Sequence, residues 1–155
     1  AKYWESKTSL AEKKGLSPWE VITLAAIVEK ETIKDDEKAA IAGVYLNRLN
    51  KRMRLQADPT VVYATGDFSL RRVLKKHTQM DHPYNTYRNY GLPPGPICVP
   101  SKASVEAVLN AEDHKYLYFC AKEDMSGYHS FAKTYTQHLI NARRFQRELN
   151  KRGIK

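Results

Sequence analysis

Ser17-Pro18-Trp19-Glu20-Val21-Ile22-Thr23-Leu24-Ala25-Ala26-Ile27-Val28-Glu29-Lys30-Glu31 is the stretch on which the reading of this chain turns. Ser17 can cap a helix, Pro18 suits the first helical position, and Glu20 completes a capping box. The residues that follow are apolar nearly all round, the pattern of a buried helix. Glu29 then falls on the stripe of Ile22, Ala25 and Ala26, and Glu31 on that of Leu24, Ile27 and Val28. A carboxyl beside apolar surface is pushed toward its protonated form, the state a general acid needs near neutral pH. The plainer alternative is that the helix ends here and both glutamates face water.

Around this helix the chain reads as α+β: several helices packed around a small antiparallel hairpin. A polar helix over Trp4 to Lys14 closes at Gly15. The buried helix runs from Ser17 to about Ile33, Lys34-Asp35-Asp36 form a turn, and an amphipathic helix follows over about Glu37 to Asn50. Asp58-Pro59 reads as a cap and first helical position for a short helix ending at Gly66. Ser69 is expected to cap another short helix reaching Lys76, and Ser101 one reaching Ala111. Tyr116–Ala121 and Tyr128–Ala132 are predicted to pair across a turn, and a basic helix from about Thr136 closes the chain. Gly91-Leu92-Pro93-Pro94-Gly95-Pro96 excludes regular helix or central strand and, with Tyr84, Tyr87 and Tyr90 before it, predicts a rigid aromatic loop.

At 155 residues and a formal charge of +9, the chain is long enough for one domain with a real core. Much of the excess charge is diffuse, with local concentrations at Lys51 to Arg54, at Arg71, Arg72, Lys75 and Lys76, and along the last helix. It suits an acidic polymer, an anionic surface or nucleic acid. No zinc-finger spacing, aromatic RNP signature or GxxG clamp accompanies it, so specific nucleic-acid binding is not expected. Two cysteines, Cys98 and Cys120, make no disulfide scaffold, and their pairing stays open. Neither they nor the histidines have metal-ligand spacing, so no metal or other cofactor is expected.

Several segments in order resemble one family, the endolytic murein transglycosylases or YceG-like proteins. They are residues 26–32 (AIVEKET), 43–49 (GVYLNRL), 53–63 (MRLQADPTVVY), 84–87 (YNTY), 91–97 (GLPPGPI), 116–119 (YLYF) and 129–131 (HSF). Ala57 stands where a threonine is expected, Cys98 where a small residue is, and residues 66–81 look divergent. The resemblance implies that residues 1–155 form a single catalytic domain, with 1–15 ending a linking helix from an N-terminal portion. It implies cleavage of the MurNAc-β-1,4-GlcNAc bond inside peptidoglycan strands without water, leaving 1,6-anhydro-MurNAc ends. One glutamate would protonate the leaving oxygen and then take the proton of the attacking C6 hydroxyl. The resemblance favours Glu29 for both roles, with Glu31 as the local rival.

Gln56 and Asn85 are candidates for holding acetamido groups, Tyr84 and Tyr87 for a sugar platform, and Asn47 and His129 for the cleft. Each has an ordinary alternative, a loop-closing hydrogen bond or core packing, and Asp58 reads as a cap before it reads as a second acid. The family further implies a single membrane-spanning anchor in the full-length protein, a catalytic domain on the extracytoplasmic (periplasmic) side of the cytoplasmic membrane, and peptidoglycan synthases as partners. A hydrolytic muramidase and a non-catalytic wall-binding scaffold remain the competing functions.

Overall fold

The computed structural model describes residues 2–70 and 72–153, and Arg71 of the predicted basic cluster lies outside them. The chain builds seven helices and one hairpin among these residues: α1 (Lys2–Lys13), α2 (Pro18–Glu31), α3 (Asp35–Asn50), α4 (Asp58–Thr65), α5 (Lys75–Thr78), α6 (Lys102–Leu109), β1 (Tyr118–Ala121), β2 (His129–Ala132) and α7 (Tyr135–Lys151). The α+β architecture expected from the sequence is present. No helix among the described residues is long and apolar enough to cross a membrane.

α2 starts as its sequence dictates. The Ser17 hydroxyl accepts from the Glu20 N–H at 3.2 Å, and the Ser17 N–H donates to the Glu20 carboxylate at 2.9 Å. Val21 and every residue from Leu24 to Val28 are fully buried. The helix therefore forms the centre of the core, with α3 and α6 packed on it and Leu55, Ala57 and Ala111 filling the edges. Burying a side chain such as Leu24 or Ile27 contributes about 1.5–3 kcal/mol. β1 and β2 pair antiparallel with Phe119 opposite Phe131, and α7 packs on this hairpin. Phe119 and Phe131 also press against the helical core, which joins the two halves of the fold.

Three boundaries differ from expectation. α3 starts at Asp35, because Lys34 is the extended cap residue, and the three-residue turn lies at Thr32 to Lys34 rather than at Lys34 to Asp36. Ser69 caps nothing: its N–H and hydroxyl both donate to Asp67 in a local turn, and the helix there is only Lys75–Thr78. Ala57, not Asp58, is the cap residue of α4, so Asp58 already belongs to the helix and its side chain is released for other work.

Gly43 shows how tightly the connection after α6 is laid on α3. A Cβ there would sit 2.5 Å from the Glu112 carbonyl oxygen and 2.7 Å from His114 Nε2. The Glu112 N–H donates to the Ala39 carbonyl at 3.0 Å, which pins the same segment. Backbone cannot step aside as a flexible side chain would. Gly43→Ala is expected to destabilise the protein by about 1–3 kcal/mol through overpacking, read as a fall in the urea midpoint at unchanged slope.

Candidate active site

The two glutamates that end α2 lie two residues apart in opposite environments. Glu29 points to the N-terminus of α6. Its Oε1 accepts from the Ser101 N–H at 2.9 Å, the Ser101 hydroxyl at 2.6 Å and the Ser104 hydroxyl at 2.7 Å. Lys38 Nζ stands 3.7 Å away. Hydrogen bonds from Ser101 and Ser104 hold this carboxyl down at about 2, against a small opposing effect of burial. The expectation that apolar surroundings protonate Glu29 is therefore corrected: it is ionised and held by the Ser101 and Ser104 donors at the start of α6.

Glu31 has the environment predicted for Glu29. Burial pushes its carboxyl up to about 8, with the nearby Asp58 adding to the rise and the Tyr45 hydroxyl, which donates to Glu31 Oε1, opposing it. Two cavities of about 390 and 340 Å³ meet at Glu31 and Asp58, which line both. Phe145 and Gln146 of α7 close the seam between them. Asp58 is open to the cavity yet surrounded by protein, and burial raises its carboxyl above the usual range while the Tyr87 hydroxyl donates to it at 2.5 Å. Burial also raises the Tyr45 and Tyr87 hydroxyls, so both remain donors at any physiological pH. The site thus holds one carboxyl that is protonated at pH 7, each of its two carboxyls being met by a tyrosine hydroxyl.

The other sequence candidates divide. Gln56, Tyr87 and His129 line the 340 Å³ cavity with Glu31. Gln56 takes a left-handed backbone, φ +50°, a conformation uncommon for a residue with a side chain and frequent at functional positions. His129 is held by Glu37, which accepts from its N–H at 2.7 Å and lies 2.8 Å from its Nδ1. Tyr84 stands outside the cavity wall but packs on Tyr63, ring centres 4.8 Å apart, and Tyr63 lines the larger cavity.

Two candidates do not belong to the cleft. Asn85 is fully buried; its amide donates to the Thr78 and Met80 carbonyls and accepts from the Tyr87 N–H, so it closes the loop that carries Tyr87. Asn47 donates to the His114 and Tyr116 carbonyls at 2.9 Å each and lies away from Glu31. Its amide anchors the approach to β1.

Sequence reasoning passed over Tyr45 and Arg48. The signal was available, since both sit one helical turn or less apart on α3. Cys98 and Cys120 are free thiols, and no group of His, Cys, Asp and Glu side chains among the described residues could hold a metal ion.

The profile of the YceG-like family matches residues 1–144. The chain belongs to that family. Two curated relatives carry the name endolytic murein transglycosylase. The one from Bacillus subtilis is 43% identical over 136 residues, 88% of this chain and 37% of the relative. The one from Streptococcus pneumoniae is 40% identical over 117 residues, 73% of this chain and 21% of the relative. The crystal structure of a YceG-like protein from Listeria monocytogenes superposes with a TM-score of 0.80 at 40% identity, over 88% of this chain and 44% of that one. The chain therefore spans well under half the length of the relatives it matches.

Glu29 gives a prediction about stability. Its folded value lies below the ordinary carboxylate value of 4.5, so its contribution is full above about 4.5 and is lost as the pH falls toward 2. Glu29→Ala removes the acceptor that the Ser101 and Ser104 donors share at the start of α6 and should cost roughly 1–2 kcal/mol at pH 7. The difference between variant and parent in thermal unfolding should shrink steadily as the pH is lowered from 5 to about 2.

Proposed function

We propose that this chain is the catalytic part of a peptidoglycan lytic transglycosylase, and that Glu31, rather than Glu29, is its acid and base. The observation that carries this reading is the protonated carboxyl of Glu31, set at the junction of two cavities. The names of its relatives supply the substrate class.

The chemistry follows from the surroundings. A glycan strand lying through the joined cavities presents its glycosidic oxygen to Glu31. The protonated carboxyl gives up its proton to the leaving oxygen as the C1–O bond breaks and positive charge develops on the muramic-acid ring. The resulting carboxylate, now accepting from Tyr45, removes the proton from the C6 hydroxyl of the same residue. That oxygen closes on C1, which returns Glu31 to its starting form and leaves a 1,6-anhydro end. No water and no second carboxylate are consumed. Asp58 assists from a distance, because its negative charge adds to the burial that keeps Glu31 protonated and favours the cationic transition state.

One observation favours a second reading. Asp58 shares the cavity with Glu31, and a second carboxylate that activates water is what a hydrolytic muramidase needs. The ends of the products distinguish the two, since hydrolysis leaves reducing muramic acid and transglycosylation leaves the anhydro ring. In the full-length protein, a membrane anchor would hold this domain on the extracytoplasmic side, beside the wall and its synthases.

Glu31→Gln should reduce product formation from purified peptidoglycan by about 10²–10⁴-fold, while Glu29→Gln loses activity only as far as it loses folded protein. Mass spectrometry should find anhydro ends from the parent. The reaction needs protonated Glu31, so kcat/KM should fall as the pH rises through about 8. The same raised value lowers stability progressively between about 4.5 and 8, because there the unfolded chain releases a proton that the folded chain keeps. Glu31→Gln should therefore melt higher than the parent at pH 7. Full activity in this variant would sink the assignment.

A further inference from the structure

Arg48 is a buried cation without an anion. It is 7% exposed, on the face of α3 beside Tyr45. Its Nε donates to the Leu117 carbonyl at 2.6 Å and its Nη1 to the Arg54 carbonyl at 2.7 Å. The guanidinium carbon lies 4.9 Å from the centre of the Tyr118 ring. No carboxylate among the described residues pairs with it. The remaining nitrogen, Nη2, donates to no group among the described residues and is not sealed off, because Arg48 lines the 340 Å³ cavity that holds Glu31.

Burying a charge is costly unless it is paired and hydrogen-bonded, and here only the hydrogen bonds to carbonyls are met. Both carbonyl contacts fix the plane of the fork and leave one edge toward the cavity. The neighbours do not neutralise it. Glu31 is uncharged at neutral pH, and Asp58, which accepts from the Tyr87 hydroxyl, forms no ion pair with Arg48. His138, in the same wall, stacks on Tyr118 and has a buried Nδ1 with no partner; burial and the Arg48 charge both lower its proton affinity. An anion entering beside Arg48 would pair its charge.

We propose that Arg48 is the anchor of a carboxylate subsite in the catalytic cavity, and that its ligand is a carboxylate carried on the muramic-acid side of the glycan strand. This inference rests on the reading of the cavity as the glycan site. Peptidoglycan offers such a group in two forms: the free carboxylates of the stem peptide, and the lactyl carboxylate uncovered when the stem is removed. Both meet a guanidinium through the same charge-assisted hydrogen bonds. The subsite would register the muramic residue against Glu31 and select among differently decorated strands.

The test measures binding to the Glu31→Gln chain, so that turnover does not enter. Three strands are compared: one with intact stems, one whose stem carboxylates have been converted to amides, and one stripped of stems by an amidase. The amidated strand should bind roughly tenfold or more weakly than at least one of the others, and the tighter of those two names the source of the carboxylate. In an Arg48→Gln background the difference should vanish. Equal binding of all three strands overturns the proposal, and so does a preference that survives in a folded Arg48→Gln variant.

If that variant does not fold, the Nε–H resonance of Arg48 in the Glu31→Gln chain decides instead. It should shift with the carboxylate-bearing strand and not with the amidated one; no shift with either overturns the proposal. Failure here leaves the Glu31 assignment standing, because that assignment is read separately from product formation.

Discussion

Near the end of the central helix, Glu29 reaches across to Ser101, 72 residues later, and ties two helices of the core together. Three donors on Ser101 and Ser104 converge on a single carboxylate oxygen. They tie the N-terminus of α6 to the C-terminal turn of α2. Once that face of α2 is covered, its other face, two residues further on, is left as the floor of the cavity. α3 folds back over it through the short turn at Thr32 to Lys34 and delivers the Tyr45 hydroxyl to Glu31. The ionised glutamate and the protonated one are thus consequences of the same helix end.

The separation of the two carboxyls, about 2 for one and about 8 for the other, has a simple origin. Glu29 exchanges water for three hydrogen-bond donors and a lysine, which stabilise its charge. Glu31 exchanges water for apolar surface, one tyrosine hydroxyl and a neighbouring carboxyl, which together do not. Pairs of acids driven apart in this way are how a fold obtains a proton donor at neutral pH. The basic excess of the chain is not concentrated at this site: Arg48 is the single arginine in the wall of the smaller cavity, and its charge is held there by backbone carbonyls.

α7 adds a further constraint. It packs on the hairpin through its first turns, and beyond them Phe145 and Gln146 reach the cavity seam. Gln146 accepts from Arg72, so the segment after α4 and the end of α7 are joined across the larger cavity. Residues 66–81 are the stretch whose sequence looks divergent beside the resembled family. It is also the region in which the predicted helix from Ser69 is replaced by turns, because the Ser69 donors are captured by Asp67.

Much of the fold could be read from local chemistry. Ser17, Pro18 and Glu20 set the start of α2, its unbroken apolar run sets its burial, and Ser101 and the turn before His129 set α6 and the hairpin. These are short-range signals, since a cap or a turn involves residues within four positions of each other. The choice between Glu29 and Glu31 was not legible in the same way. Both stripes of α2 are buried, so helical period cannot separate the two carboxyls. Asn85 and Asn47 looked like ligand-binding amides, but carbonyls five to 69 residues away engage them. The sequence by itself determined that a buried helix ends in two carboxyls. Only the tertiary structure decided which is ionised, because proton affinity depends on donors and desolvation supplied by distant parts of the chain.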